Sequence, residues 1–143
     1  MHITSKQAPR RRGAIVVLAA FLLVVMVGMI AFALDIGYLG LARTQLQVAA
    51  DSAALAAAGS SNQSASATVA IAQQFANANQ AAGRAVELNA SDVQFGKWDA
   101  STRTFTPSSQ LATAVKVTVR TDARDGGPTS LFFGRIFGSS SIN

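Results

Sequence analysis

The hydrophobic pattern changes character twice along this chain. Gly13 to Leu34 is a run of 22 residues without a charged or polar side chain. As a helix it measures about 33 Å, enough to cross a bilayer core of about 30 Å. It is apolar on every side, which excludes a water-exposed amphipathic helix. From Asp35 to Ala58 the composition turns to Ala, the best helix former, with no Pro. Leu34, Leu41, Val48 and Leu55 recur every seven residues; Tyr38, Gln45 and Ser52 lie at the other heptad seam, and Ala42, Ala49 and Ala56 flank the stripe. The pattern predicts one helix from Gly13 to Ala58, ended by Gly59 and Ser60-Ser61-Asn62. Gly37 and Gly40 are its weak points.

Beyond Ser60 the periods shorten. Ser60 to Ala67 reads as a linker. Ile71, Ala72, Phe75, Ala78 and Ala82 keep helical spacing, so a second helix follows, capped by Ser64 or Ser66 and fraying between Asn79 and Gly83. Val86 and Leu88 suggest a short strand. Val93, Phe95 and Lys97 alternate with Gln94, Gly96 and Trp98; Asp99-Ala100-Ser101-Thr102 is a turn, and Arg103 to Phe105 returns as a hairpin partner. Val115, Val117 and Val119 give the clearest strand signal. Asp125-Gly126-Gly127-Pro128 is a further turn, from which Pro128 starts a short helix to Phe137. Leu131, Phe132, Phe133, Ile136 and Phe137 should cover the sheet, or meet a partner or the membrane surface.

The expected architecture is α+β and membrane-anchored. A long N-terminal helix is transmembrane and then projects, a second helix follows, and a small antiparallel sheet carries a short C-terminal helix. The divisions are a basic cytoplasmic tail (1–12), a transmembrane helix (13–34), its projecting continuation (35–59) and a small extracytoplasmic domain (60–143).

Charge fixes the expected orientation. The net charge is +5, of which Lys6, Arg10, Arg11 and Arg12 contribute +4 before the apolar run begins. Basic residues beside a span stay in the cytoplasm, so residues after Asp35 should lie outside it. No aromatic or further basic residue accompanies the cluster, which argues against nucleic acid as a partner. Ala31-Phe32-Ala33 matches a signal-peptidase pattern, but the apolar run is longer than the usual h-region of about 7–15 residues. An uncleaved anchor is favoured, with release by cleavage after Ala33 as the competitor.

Chemistry-bearing residues are sparse. The absence of Cys excludes disulfides, thiol nucleophiles and Cys-based metal sites, and one His, at position 2, argues against His-based catalysis. Asp35, Arg43 and Asp51 sit as single charges on the long helix and are read as solvated. Asp92, Asp99, Asp122 and Asp125 have no companion base or metal-ligand spacing and are read as solvated turn carboxylates. No enzyme activity, cofactor, metal or small-molecule substrate is expected.

Arg12-Gly13, the long apolar run, then Asp35-x-Gly37-x5-Arg43-x2-Leu46-Gln47-x-Ala49-Ala50-Asp51-x-Ala53-Ala54-Leu55-Ala56 resemble the N-terminal segment of TadG-like Flp pilus-assembly proteins (TadE/TadG-like membrane segment). Val93-x-Phe95-Gly96-x-Trp98-Asp99, Arg103-x-Phe105 and Leu131-Phe132-Phe133 before Gly138 resemble their downstream region. The resemblance implies a bacterial inner-membrane protein of tight-adherence pilus biogenesis. Such proteins tend to continue beyond Ser141-Ile142-Asn143, so a short paralogue or a truncated frame is implied. Pilins cut by a prepilin peptidase carry Glu five residues after the processing Gly; counted from Gly13, that position is Leu18, which argues against processing.

The expected function is therefore structural: helix-mediated assembly with other pilus-assembly proteins, or with a second copy, through the Leu34–Ala58 helix. The packing seam is read as Ala33, Gly37, Leu41, Ala42, Val48, Ala49, Leu55 and Ala56, with Ala33 and Gly37 as a small-x-x-x-small pair at the membrane end. Packing of the stripe on the chain's own domain stays open beside packing on another subunit. The other function class is a membrane-tethered module that binds an extracytoplasmic ligand.

Overall fold

In the computed structural model, which describes residues 12–109, 112–121, 129–131, 133 and 141–142, one helix dominates. Helix α1 runs from Arg12 to Gly59 without interruption, 48 residues and about 72 Å. Neither Gly37 nor Gly40 breaks it. Its end is closed locally: the Ser60 amide donates to the Ala56 and Ala57 carbonyls at 3.1 and 3.2 Å, and the Ser60 hydroxyl donates to Ala57 at 3.0 Å. These bonds satisfy carbonyls that the last helical turn leaves open.

Helix α2 spans Ala65–Asn77. Ser64 is its N-cap, in extended conformation, and its side chain accepts the Ala67 amide at 3.3 Å. This is the role Ser plays before a helix because its oxygen satisfies an orphan donor. Thr68, 1% exposed, donates from its hydroxyl to the Ser60 carbonyl at 3.1 Å and ties α2 to the end of α1. The two helices meet through alanines: Ala49, Ala53 and Ala57 on α1, Ala72 and Ala76 on α2, all fully buried. Small side chains let the helix backbones approach closely.

Strands β1 (Gln80–Ala81) and β2 (Arg84–Ala85) form a two-residue hairpin. Ala82 and Gly83 at its tip both have positive φ, 51° and 76°, as a turn with two left-handed central residues requires. The Ala82 amide donates to the Gln45 side chain of α1 at 3.0 Å, which anchors the tip. Val86 and Leu88 are buried in the core, but they are not in a strand, contrary to the expectation from their alternation. The Leu88 carbonyl accepts instead from the Gln73 side chain of α2 at 2.9 Å.

After a 3₁₀ turn at Ala90–Asp92, β3 (Val93–Asp99) is the centre of a three-stranded antiparallel sheet, with β4 (Thr104–Pro107) and β5 (Ala114–Val117) on its two sides. Val93, Phe95, Val115 and Val117 face the helices, with Val119 just beyond the sheet. On the other face Trp98 pairs with Phe105, and Lys116 lies 6.0 Å from the Phe105 ring centroid. Gly96 is required there. A Cβ at that position would collide with the Thr106 carbonyl oxygen and approach Phe105 ring carbons to 2.5 and 2.9 Å.

Near the C-terminus, Thr129–Ser130 (β6) pairs antiparallel with Ser141–Ile142 (β7). The expectation of a helix beginning at Pro128 is corrected at Thr129 and Ser130, which are strand. Most of Pro128–Phe137, including Phe132, Ile136 and Phe137, lies outside the described residues. The class stands as expected: a long apolar helix, a second helix and small antiparallel sheets.

Candidate assembly interface

Helix α1 has three surfaces. From Gly13 to Leu34 every residue except Gly28 and Ala31 is exposed, including Phe21, Leu22, Leu23, Met26 and Ile30. Soluble proteins rarely leave an apolar surface of this size uncovered, and the run is long and apolar enough to cross a membrane. Beyond Leu34, one face is buried by the chain's own domain: Asp35, Ala42, Ala49, Ala53 and Ala57, with Leu46 partly covered. A third strip stays open. Leu34 is 55% exposed, Leu41 and Val48 each 54%, and Leu55 75%.

The expected seam is thus divided. Ala42 and Ala49, read as its small flank, are covered by the chain's own fold, and Ala56 is half-buried. Leu41, Val48 and Leu55 are not. The reason is angular: consecutive residues lie about 100° apart on a helix, so Ala49 faces α2 while Val48 points well away from it. Seven residues advance the helix by two turns less about 20°, so Leu34, Leu41, Val48 and Leu55 form a slowly winding ridge about 31 Å long. Ala33 and Gly37 are exposed at its membrane end. Lys6, Arg10 and Arg11 lie outside the described residues, and Arg12 opens α1.

The polar residues beside the ridge bond locally. The Thr44 hydroxyl donates to the Gly40 carbonyl at 3.1 Å, and the Gln47 amide donates to Asp51 at 2.8 Å. Arg43 and Asp51 are exposed, as expected. Asp35 is not: it is 6% exposed, and its carboxylate accepts the Phe133 amide at 3.3 and 3.2 Å. A burial this deep, by a partner 98 residues away, gives no local signal in sequence.

Asp92 also departs from expectation. It accepts from Arg120 at 2.6 Å with its side chain only 12% exposed, and its carbonyl accepts the Thr118 amide at 3.0 Å. It is a clamp between the start of β3 and the chain after β5. Asp99 is a turn carboxylate as read. Hydrogen bonds from the Ser101 hydroxyl, the Ser101 amide and the Thr102 amide hold its carboxyl below the ordinary aspartate value. Asp122 and Asp125 lie outside the described residues. Among the described residues no cluster of three His, Cys, Asp or Glu could hold a metal. A cleft of about 340 Å³ opens beside Ser61, Gln63, Thr68, Phe95, Thr113 and Val115. Its lining has hydroxyl and amide groups but no charged side chain.

Residues 13–61 match the family model described as "Putative Flp pilus-assembly TadE/G-like", and residues 42–143 match the one described as "Putative Tad-like Flp pilus-assembly". The chain belongs to the Tad-like Flp pilus-assembly family. No curated protein and no solved structure matches it. The two Tad matches overlap over residues 42–61, the stretch of α1 that packs on α2. The exposed ridge runs from the TadE/G-like membrane segment into that shared stretch. This Tad-like chain is therefore membrane-associated, with a role in pilus assembly.

Proposed function

We propose that this Tad-like chain is a single-span envelope protein that acts by helix-mediated assembly and not by catalysis. The observation that carries the reading is the ridge of Leu34, Leu41, Val48 and Leu55, left uncovered beside a domain that has already buried its own share of α1. A ridge of this kind fits a helix of another pilus-assembly component or of a second copy, approaching parallel to α1. The span places the ridge just outside the bilayer. The Arg10-Arg11-Arg12 cluster keeps the N-terminus in the cytoplasm, so the ridge and the domain lie on the extracytoplasmic side of the inner membrane. Where Ala33 and Gly37 are exposed, close backbone approach extends the contact into the lipid.

The test is the double substitution Leu41→Glu with Val48→Glu. Both positions are half-exposed, so the fold and membrane insertion should survive. At a contact the two carboxylates would be desolvated without partners, at a cost of several kcal/mol in all. Pilus formation in the native host and co-purification of envelope partners should be lost. Normal pili from the double variant would refute the reading.

A further inference from the structure

The buried carboxylate of Asp35 has no part in the ridge, and its position is unusual. It follows directly on the 22-residue apolar run, at the depth where α1 leaves the bilayer in the single-span reading. Both of its oxygens accept the backbone amide of Phe133, at 3.3 and 3.2 Å. Leu131, two residues earlier, is 8% exposed. Ala31, one turn deeper in the run and about 6 Å closer to the bilayer centre, is 7% exposed among neighbours that are open. Coverage of α1 by the chain's own fold thus reaches below the outer end of the span. Nothing within the apolar run could hold a returning segment by hydrogen bonding. Asp35 supplies the first side-chain acceptor above it.

We propose that Asp35 is a positioning residue that holds Leu131 and Phe133 against the membrane end of α1, so that Phe133 rests in the headgroup and acyl boundary of the outer leaflet. The proposal rests on the single-span reading. The occupant is lipid because the surface is continuous with the span: Phe32, Leu34 and Ile36, at the same level of α1, are 66%, 55% and 53% exposed. Phe133, half-buried and held at that level by its backbone amide, adds an apolar side chain beside the exposed collar of the helix. Apolar side chains at such a boundary bury about 5–10 Å into it. A carboxylate with two acceptor oxygens suits the clamp because it can satisfy a backbone amide where water is scarce. The consequence is mechanical. The contact between Asp35 and Phe133 fixes the height of the extracytoplasmic domain above the membrane, and with it the height of the ridge presented to a partner.

The experiment uses the full chain in vesicles of phosphatidylcholine and phosphatidylglycerol. Trp98, the sole Trp, is replaced by Phe. In that background Phe133→Trp reports the depth of the segment, and Val24→Trp reports insertion of the span. Lipids brominated near the glycerol end of the acyl chain should quench Phe133→Trp and leave its emission blue-shifted. Adding Asp35→Leu should abolish that quenching while Val24→Trp stays quenched by lipids brominated near the chain end. Asp35→Asn keeps one carbonyl acceptor and should retain much of the effect. An unquenched, water-like Phe133→Trp beside a quenched Val24→Trp overturns the proposal and spares the span. Quenching that survives Asp35→Leu overturns the role of Asp35. An unquenched Val24→Trp refutes the single-span reading itself, and the proposal with it.

Discussion

The two halves of α1 belong to one unbroken helix, yet they are built for different surroundings. Residues 13–34 are large and apolar on all sides, and nearly all are exposed. Residues 35–59 are sorted: alanines on the face that α2 covers, Leu and Val on an open ridge, Arg43, Gln47 and Asp51 toward solvent. In lipid a helix needs no hydrophobic face, because every direction is equally apolar. In water it does, and here the buried face consists of the smallest apolar side chain. The difference teaches that the large apolar residues of the α1 ridge, Leu41, Val48 and Leu55, are not what α1 contributes to the core of this domain. Its helix contact is made by alanines, and its larger core side chains come from Val86, Leu88 and the sheet strands.

That contrast can be broken by exchanging the roles of two neighbouring positions. Ala53→Leu should force α1 and α2 apart and destabilise the domain by about 1–3 kcal/mol. Leu55→Ala, two residues on at a 75% exposed position, should change stability by no more than about 0.5 kcal/mol. Thermal unfolding of the full chain in detergent micelles measures both. A larger loss from Leu55→Ala than from Ala53→Leu would mean that the faces are assigned the wrong way round.

A smaller effect sharpens the picture of the domain away from α1. The carboxyl of Asp99 is held below the ordinary 3.8 by its turn hydrogen bonds. A lowered value in the folded state contributes stability that is complete above the unfolded value. The contribution fades as pH falls through the folded one. Wild-type protein should therefore lose a small increment of stability in acid that Asp99→Asn never had, and the two should converge at low pH. A carboxyl titration followed by NMR checks the direction. A midpoint above that of an isolated aspartate would contradict the turn geometry.

Much of this was legible in the residues. The apolar run, the Ala-rich continuation without Pro and the stop at Gly59 predicted α1 nearly to the residue. Ser64 was legible as a cap, and the alternation in 93–98 and 115–117 as the central strand and one of its neighbours; the same alternation did not show that the strand stops before Val119. The sidedness of α1 was not. Heptad Leu and Val residues advertise a seam, whereas Ala gives almost no hydrophobic signal and is chosen here for closeness. Asp35 and Asp92 escaped for a related reason: each is satisfied by a partner remote in sequence, Phe133 and Arg120. Val86 and Leu88 alternate like a strand, but their alternation only marks two side chains turned into the core. The collision that awaits any side chain at Gly96 depends on the register of β3 against β4, which no local pattern specifies.

The central claim is that the Leu41, Val48 and Leu55 ridge meets another helix while the opposite open face of α1 does not. A photo-crosslinking amino acid placed singly at residues 41, 48 and 55, and for comparison at Ile36, Arg43 and Gln47, tests it in the native host membrane. The account predicts adducts to an envelope protein or to a second copy at 41, 48 and 55, with little at 36, 43 and 47. Equal yields all around the helix, or adducts confined to 36, 43 and 47, would contradict it.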